Sequence, residues 1–280
     1  MLNSGQFFGT ARERYRIKER REKGLPRPWT DDKIFNLWRF CNVHREDDKT
    51  TQWFRDHVRN PLTRQGDKIK IAQATTIFRW FNRIGTGEKI LDLLLTQWDT
   101  EEAHRRLQSV EPVVTGAYII KGPDGFSKLE GVLHCIDLAL PALEHDVPSW
   151  GETLKEAWLD LNTIYYLGPF MSYEIVSDLR WTPVLNEAAD ILTWANAGPG
   201  CARGMGWVAH NNPAKFNPGS QRDQQTMLEL MTQLLGMSRS EEYWPKYWKQ
   251  WEMREVEHWL CEYDKYCRAE SGLKLKRRYA

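Results

Sequence analysis

The helical spacing of apolar residues is the pattern that most constrains the fold of this chain. Near the C-terminus, five apolar residues are spaced alternately by three and four positions: Met253, Val256, Leu260, Tyr263 and Cys267. This spacing places them on one face of an α-helix. Comparable patterns and start signals predict further helices over about 31–46, 68–84, 149–165, 169–180, 182–196 and 227–235. The chain is therefore predicted to be mainly α, in a single compact helical domain.

Other segments of the chain add little to this helical prediction. Residues 113–121 are the segment with strand-like composition, and the turn-forming residues 122–125 follow, so at most a small β-hairpin is expected. The basic segment 1–25 is expected to form an arm or a helix, 26–268 the helical domain, and 269–280 a basic tail. No apolar run approaches about 18 residues, so no membrane-spanning helix is expected.

Composition excludes several classes of protein. Lys and Arg number 39 and Asp and Glu 38, giving a net charge of +1, so a polyanion must be bound by local clusters. The five cysteines are scattered and include no Cys-x-x-Cys, which favours a reducing compartment over a four-thiolate metal site. The sequence lacks G-x-x-x-x-G-K-[ST], which excludes a P-loop kinase.

One group of candidate functional residues recurs every third position in the predicted helix 31–46 and just beyond it: Arg39, Asn42, Arg45 and Asp48. The rest of this helix is nearly all apolar, so the arginines are expected to be buried and to need partners. Either they pair with internal carboxylates such as Asp48, or they line a cleft that binds an anion. Asn82 and Arg83, at the end of the helix 68–84, either stabilise its C-terminus or support such a cleft.

A second group lies on the predicted helix 169–180. Glu174 and Asp178 are one turn apart at the edge of its apolar stripe and are expected to be half-buried. Two close carboxylates push each other's pKa values apart, which suits a general base. The alternative is that they form salt bridges to arginines.

A third group is a glycine turn. Gly198 and Gly200 flank Pro199 after the predicted helix 182–196, a layout typical of helix–hairpin–helix motifs. The free backbone N–H groups at the start of the second helix would hold a DNA phosphate, and Arg203 would join them.

Six segments, in this order, together resemble a known family: RFCNVHREDDKTTQW, IFRWFNRI, TGAYII, LGPFMSYEIVSDLR, TWANAGPGCARG and MREVEHWLCEYDKY. They are similar to the alpha-glutamyl/putrescinyl thymine pyrophosphorylases, whose phage members are described as amino acid:DNA transferases. The resemblance covers about residues 26–268. It implies a fold similar to the all-helical DNA glycosylases.

The resemblance also implies an activity. Members act on double-stranded phage DNA in which 5-hydroxymethyluracil replaces thymine and a separate kinase has phosphorylated the hydroxymethyl group. The transferase displaces the phosphate or pyrophosphate with an amine such as glycine, serine, glutamate or putrescine. The hypermodified thymine then resists host restriction, so the protein is expected in the cytoplasm of the infected bacterial host.

We assign roles by matching this chemistry to the candidate residues. The target base must leave the stack. Arginines would bind the leaving phosphate, with asparagines and Asp48 holding the base or the arginines: Arg39, Asn42, Arg45, Asp48, Asn82 and Arg83. Glu174 or Asp178 would deprotonate the amine, and the glycine turn with Arg203 would grip the DNA backbone. No metal or cofactor is expected, because the pyrimidine ring can assist phosphate departure through an exocyclic methylene.

Two other functions remain open from the sequence. A DNA glycosylase or lyase would depend on Asp223 or a nearby lysine, although the surroundings of Asp223 are polar and unlike those of hydrolytic glycosylases. A non-catalytic DNA-binding module would use the buried polar residues for structure alone.

Overall fold

The computed structural model describes residues 2–117, 119–273 and 275, and the described residues form α-helices joined by turns and loops. The helices are α1 Ser4–Glu22, α2 Lys33–Leu37, α3 Lys49–Phe54, α4 Asn60–Gln65, α5 Lys68–Phe81, α6 Ile84–Lys89, α7 Leu91–Leu95, α8 Thr100–Leu107, α9 Lys128–Asp146, α10 Leu154–Thr163, α11 Pro169–Leu179, α12 Pro199–His210, α13 Gln221–Met237 and α14 Met253–Glu270. The predicted mainly α class is confirmed. Among the described residues, no helix is both long and apolar enough to cross a membrane.

The chain divides into two compact units. Within the described residues, unit 1 consists of the chain up to Asp48 and from Leu192 onward, and unit 2 consists of Lys49–Ile191. Each unit has its own set of mutually packed helices.

Unit 1 is built around α14. Helices α1, α2, α12 and α13 all contact it, and α12 lies closest. Its core is rich in aromatic rings that meet mostly edge to face: Phe7, Phe8, Trp244, Trp251 and Tyr263. Two of the chain's 14 tryptophans, Trp244 and Trp251, are thus explained by core packing.

The basic N-terminal segment forms α1, one face of which belongs to this core. Phe7 and Phe8 are fully buried, and the Trp259 indole donates a hydrogen bond to the Phe7 carbonyl at 3.1 Å. The basic side chains of α1 therefore sit on a helix that is anchored by its apolar face. Half of the predicted basic tail 269–280, including all of its lysines and arginines, lies outside the described residues.

Unit 2 is built around α5. Every residue from 74 to 81 is buried, and α5 contacts both α9 and α11. Asp67 caps the start of α5 by accepting a hydrogen bond from the Lys70 N–H, and Asn82 ends it in a left-handed conformation with φ 44°. The predicted helices 68–84 and 169–180 correspond closely to α5 and α11.

The predicted helix 31–46 is wrong beyond Leu37. Asp32 caps the start of α2, but the backbone becomes extended at Trp38. Hydrogen bonds to local side chains then take the place of helical ones. The Asn42 N–H donates to the Asp48 carboxylate at 2.9 Å, and the Asn42 side-chain amide donates to the Asp47 carbonyl. The proposed helical stripe of Arg39, Asn42 and Arg45 does not form.

The predicted helix 182–196 is also wrong, since this segment is mostly turns. Its polar groups pair with the start of α10 instead: the Ala189 N–H donates to the Glu152 carbonyl, and the Asp190 carboxylate accepts hydrogen bonds from the N–H groups of Leu154 and Lys155. The glycine turn therefore lacks its first helix. The helix–hairpin–helix layout is not formed.

The start of α10 differs from the capping box that the spacing of Ser149 and Glu152 in the sequence predicts. Thr153 is the N-cap, and its side chain accepts a hydrogen bond from the Glu156 N–H. Ser149 instead donates to the Asp146 carbonyl. The N-cap of α10 therefore lies about one turn later than the sequence predicts.

No strand occurs among the described residues, and the strand-like segment 113–121 is irregular outside the undescribed position 118. Its backbone groups bond to unit 2 helices: the Thr115 N–H donates to the Phe81 carbonyl and the Thr86 hydroxyl donates to the Val113 carbonyl. These hydrogen bonds take the place of those a partner strand would supply.

Candidate functional site

A buried polar cluster centred on Arg79 joins α5 to α11. The Arg79 guanidinium binds Asp178 through two nitrogens, Nε to Oδ2 and Nη2 to Oδ1, the latter at 2.8 Å. The two side chains are 1% and 0% exposed. Nη1 donates to Asn82 Oδ1 at 2.7 Å, and Nη2 lies 3.4 Å from the Thr51 hydroxyl. Two predicted site residues, Asn82 and Asp178, are therefore brought together by an arginine.

The sequence interpretation missed Arg79. The signal was present, because a charged residue inside the buried run TTIFRWF requires a partner. Asp178 lies deeper than the half-buried position expected for it, and its carboxylate is committed to the guanidinium. This arrangement suits Asp178 as a positioning group rather than as a base that exchanges protons with solvent.

Glu174 lies one turn before Asp178 on α11 and is half-buried. It follows Phe170 by four positions, so the two side chains share a face of the helix. Of the two candidate carboxylates, Glu174 is therefore the more accessible.

A groove of about 530 Å³ lies beside the start of α11 in unit 2. Phe170 and Tyr166 contribute exposed aromatic rings to it, and Lys121 and Asn162 are polar residues in its lining. This size falls in the usual range for small-molecule sites.

Two features make this groove chemically notable. Trp80 lines it and is 1% exposed, yet its indole N–H has no hydrogen-bond partner among the described residues. A buried donor without a partner is energetically costly. Lys121, another lining residue, forms no ion pair with any residue that the structure describes. From the sequence, Trp80 is predicted only to lie on the apolar face of the helix 68–84.

Arg83 is a second cation of unit 2 that is not committed to a carboxylate. It is half-buried and follows the left-handed Asn82 at the start of α6. Its side chain forms no hydrogen bond or ion pair among the described residues. Its predicted role as a phosphate ligand stays a prediction.

The remaining predicted phosphate-binding residues belong to unit 1. Arg39 is exposed and its carbonyl accepts a hydrogen bond from Lys265, whereas Arg45 is only 6% exposed. Burial raises the pKa of Asp48 to about 6, while the hydrogen bond from the Asn42 N–H opposes this shift. Asn42 and Asp48 are thus in contact through the backbone N–H of Asn42.

The glycine turn packs against α14. Gly198 precedes α12 with φ −70°, and a Cβ atom on Gly200 would lie 3.0 Å from the Cys261 sulfur. Arg203 donates to the Asp264 carboxylate at 2.9 Å. Gly200 and Arg203 thus contribute to the packing of α12 on α14, and contact with the DNA backbone stays a prediction.

Comparisons with known proteins identify the family. A family model described as "5-hmdU DNA kinase, helical domain" matches residues 4–274. A protein of Bacillus phage SP10 named "5-hmdU DNA kinase" is 26% identical over 291 residues, which cover 93% of this chain and 44% of that protein. The chain thus spans less than half the length of this relative. No solved structure is significantly similar to it. Because the family model covers nearly all of its residues, the chain belongs to the 5-hmdU DNA kinase helical-domain family.

Proposed function

We propose that this chain is a transferase that replaces the phosphate or pyrophosphate on phosphorylated 5-hydroxymethyluracil in phage DNA with an amino acid or a polyamine. Family membership supports 5-hydroxymethyl-deoxyuridine DNA as the substrate context. The observation that carries the proposal is the unit 2 groove, with its aromatic rings, its orphaned indole donor and its unpaired lysine. Glu174 lies one turn further along α11.

The groove residues suit a base that has left the helical stack. Tyr166 and Phe170 offer ring faces for stacking on a pyrimidine, and the Trp80 indole would donate to a base carbonyl or a phosphate oxygen. Lys121 would bind the phosphate on the C5 methylene. Arg83 is proposed as a second phosphate ligand.

The proposed reaction needs a deprotonated amine. Glu174 takes the proton from the ammonium form, the amine lone pair attacks the C5 methylene carbon, and the carbon–oxygen bond breaks. The electron pair leaves with the phosphate, whose charge the cations stabilise. Asp178 holds Arg79 in place, and Arg79 in turn binds Asn82.

Among the unit 1 residues, Arg45 keeps its proposed role as a phosphate ligand, supported by Asn42 and Asp48. Arg39 was expected to bind the leaving phosphate as well, but because it is exposed we propose that it contacts the DNA backbone instead. The turn at Gly198 and Gly200 with Arg203 would bind the backbone of the duplex. The site of action would be the cytoplasm of the infected host.

A DNA glycosylase is the alternative function. It would depend on Asp223, but that carboxylate accepts a hydrogen bond from the Asn217 N–H at 2.8 Å in the first turn of α13. This contact gives Asp223 a structural role in holding the turn before α13, and therefore favours the transferase.

The test is nucleoside mass spectrometry on duplex DNA that carries 5-phosphomethyluracil, incubated with the protein and each candidate amine. We expect a mass gain matching one amine, with release of phosphate. Glu174→Gln and Lys121→Met should each lower the initial rate by about 100-fold. The exposed residues Glu88 and Lys155 provide matched controls, Glu88→Gln and Lys155→Met.

Three results would overturn the proposal. One is the absence of aminated nucleoside with every amine. The second is abasic DNA as the product, which would indicate a glycosylase. The third is equal loss of rate in the controls and in the groove variants, which would remove the groove from the mechanism.

A further inference from the structure

A compact group of three metal-ligand side chains lies in unit 1, outside the unit 2 groove. One ligand atom each from Cys41, Asp48 and His258 lies within 4.8 Å of the other two. Cys41 and Asp48 flank the short 3-10 turn at Arg45–Asp47, and His258 projects from α14. A thiol, a carboxylate and an imidazole thus converge from two parts of the chain.

Backbone hydrogen bonds hold each ligand segment in place. The Cys41 N–H donates to Glu262 on α14 at 2.9 Å, which fixes the thiol-bearing residue against the helix. The Asp48 carboxylate accepts the Asn42 N–H at 2.9 Å through one oxygen, which leaves the other oxygen to bind elsewhere. His258 Nε2 lies 3.1 Å from the Asn42 carbonyl, and a backbone carbonyl is a common partner that orients a metal-ligating histidine.

We propose that Cys41, Asp48 and His258 form a binding site for a zinc-class divalent cation. Zinc takes sulfur, nitrogen and oxygen ligands at about 2.0–2.3 Å in a tetrahedron, so its ligand atoms lie roughly 3.5 Å apart. The triangle of ligand atoms is at most modestly wider than this, and small side-chain adjustments close it. The soft thiolate and the imidazole favour zinc or cobalt over magnesium or calcium.

The ligand count has a further consequence. Three protein ligands leave the fourth tetrahedral position for water or another ligand, unlike a structural site with four protein ligands. The thiol loses its proton when the metal binds, and the resulting thiolate and carboxylate balance the charge of the divalent ion. The test of this inference is independent of the proposed transferase function, because it measures metal binding and needs no DNA, although Asp48 also supports Arg45 in that proposal.

The experiment uses the full chain, stripped of metal with a chelator and titrated with Co²⁺. Bound cobalt should produce a sulfur-to-cobalt charge-transfer band in the near ultraviolet, saturating at one ion per chain, and Zn²⁺ should abolish it. Cys41→Ser should eliminate the band. Asp48→Asn and His258→Gln should each weaken Co²⁺ binding by more than about 10-fold.

Controls distinguish this site from other thiols and imidazoles. Cys135→Ala and His145→Gln alter a buried cysteine of unit 2 and a histidine whose side chain is 90% exposed, so both should bind cobalt as the unaltered protein does. Thermal unfolding provides a second measurement, because Zn²⁺ should raise the melting temperature of the unaltered protein but not that of Asp48→Asn. No charge-transfer band at millimolar Co²⁺, or a band that persists in Cys41→Ser, would overturn the proposal.

Discussion

The Arg79–Asp178 pair is a buried ion pair whose charges are satisfied by each other and by neighbouring polar groups. Desolvation of both ions offsets much of their attraction, so the intact pair contributes little net stability. Removing one partner is different, because the other charge is then left buried without its counter-ion. The pair therefore specifies how α5 and α11 pack.

We expect Asp178→Asn to lower the free energy of unfolding by about 3 kcal/mol, because it leaves the Arg79 guanidinium without an anion. Urea unfolding monitored by circular dichroism measures this change. The control is Asp56→Asn in the largely exposed pair with Arg55, which should cost less than about 1 kcal/mol. Unchanged stability with a loss of transferase activity would instead make Asp178 a catalytic base.

His44 is a second buried titratable residue, and it governs stability toward acid. Burial is the main cause that lowers its pKa from 6.5 to about 4, and the positive charge of Lys249 adds to the effect. Below pH 6.5 the unfolded chain binds a proton at this histidine, whereas the folded protein binds it only near pH 4. His44 is therefore expected to lower the free energy of unfolding as the pH falls from about 6.5 to about 4.

His44→Gln should remove that contribution, so the unfolding free energy of the variant should fall less than that of the unaltered protein between pH 7 and pH 4.5. Urea titrations at several pH values measure the difference. His145→Gln, at the exposed histidine, should keep the pH dependence of the unaltered protein. If the unfolding free energy of His44→Gln depended on pH as that of the unaltered protein does, burial of His44 would not be the cause of the acid sensitivity.

At the scale of elements, glycines determine how closely α12 approaches α14. A Cβ atom on Gly204 would overlap the carbonyl oxygen of Leu260, which belongs to the backbone of α14 and cannot rotate away. A Cβ atom on Gly236 of α13 would meet no other atom within 4 Å. Two helical glycines of unit 1 therefore differ in what surrounds them.

This difference predicts opposite effects of the same substitution. Gly204→Ala should destabilise the protein by about 1–3 kcal/mol, because the two helices must move apart. Gly236→Ala should stabilise it by about 0.5–1 kcal/mol, because alanine favours the helix and meets no atom. Thermal and urea unfolding of both variants measure this contrast, and a loss of similar size at both positions would contradict the packing argument.

At the scale of the whole molecule, the chain spans less than half of the phage SP10 relative and its sequence contains no P-loop motif. We expect the isolated 280-residue chain to transfer no phosphate from ATP to DNA that contains 5-hydroxymethyluracil. Incubation with radiolabelled ATP measures this directly. Labelled DNA would assign a kinase reaction to the chain and replace the proposed amine transfer.

The helices that were predicted well are those whose signals are local. Apolar spacing and nearby capping residues specify α5, α11 and α14, because helical hydrogen bonds join residues only four positions apart. The helix predicted over 31–46 fails after Leu37, where side chains of Asn42 and Asp48 compete for backbone groups. The predicted helix 182–196 fails because Ala189 and Asp190 bond to the start of α10.

The sequence by itself determined the helical class and drew attention to the segments that hold Asn82, Glu174 and Asp178, since periodicity and residue chemistry are properties of short stretches of chain. Only the tertiary structure decided that Asp178 pairs with Arg79, 99 positions away, and that His258 lies beside Cys41 and Asp48. The physical reason is that pairing between distant side chains depends on which helices pack together, and packing is a property of the whole folded unit.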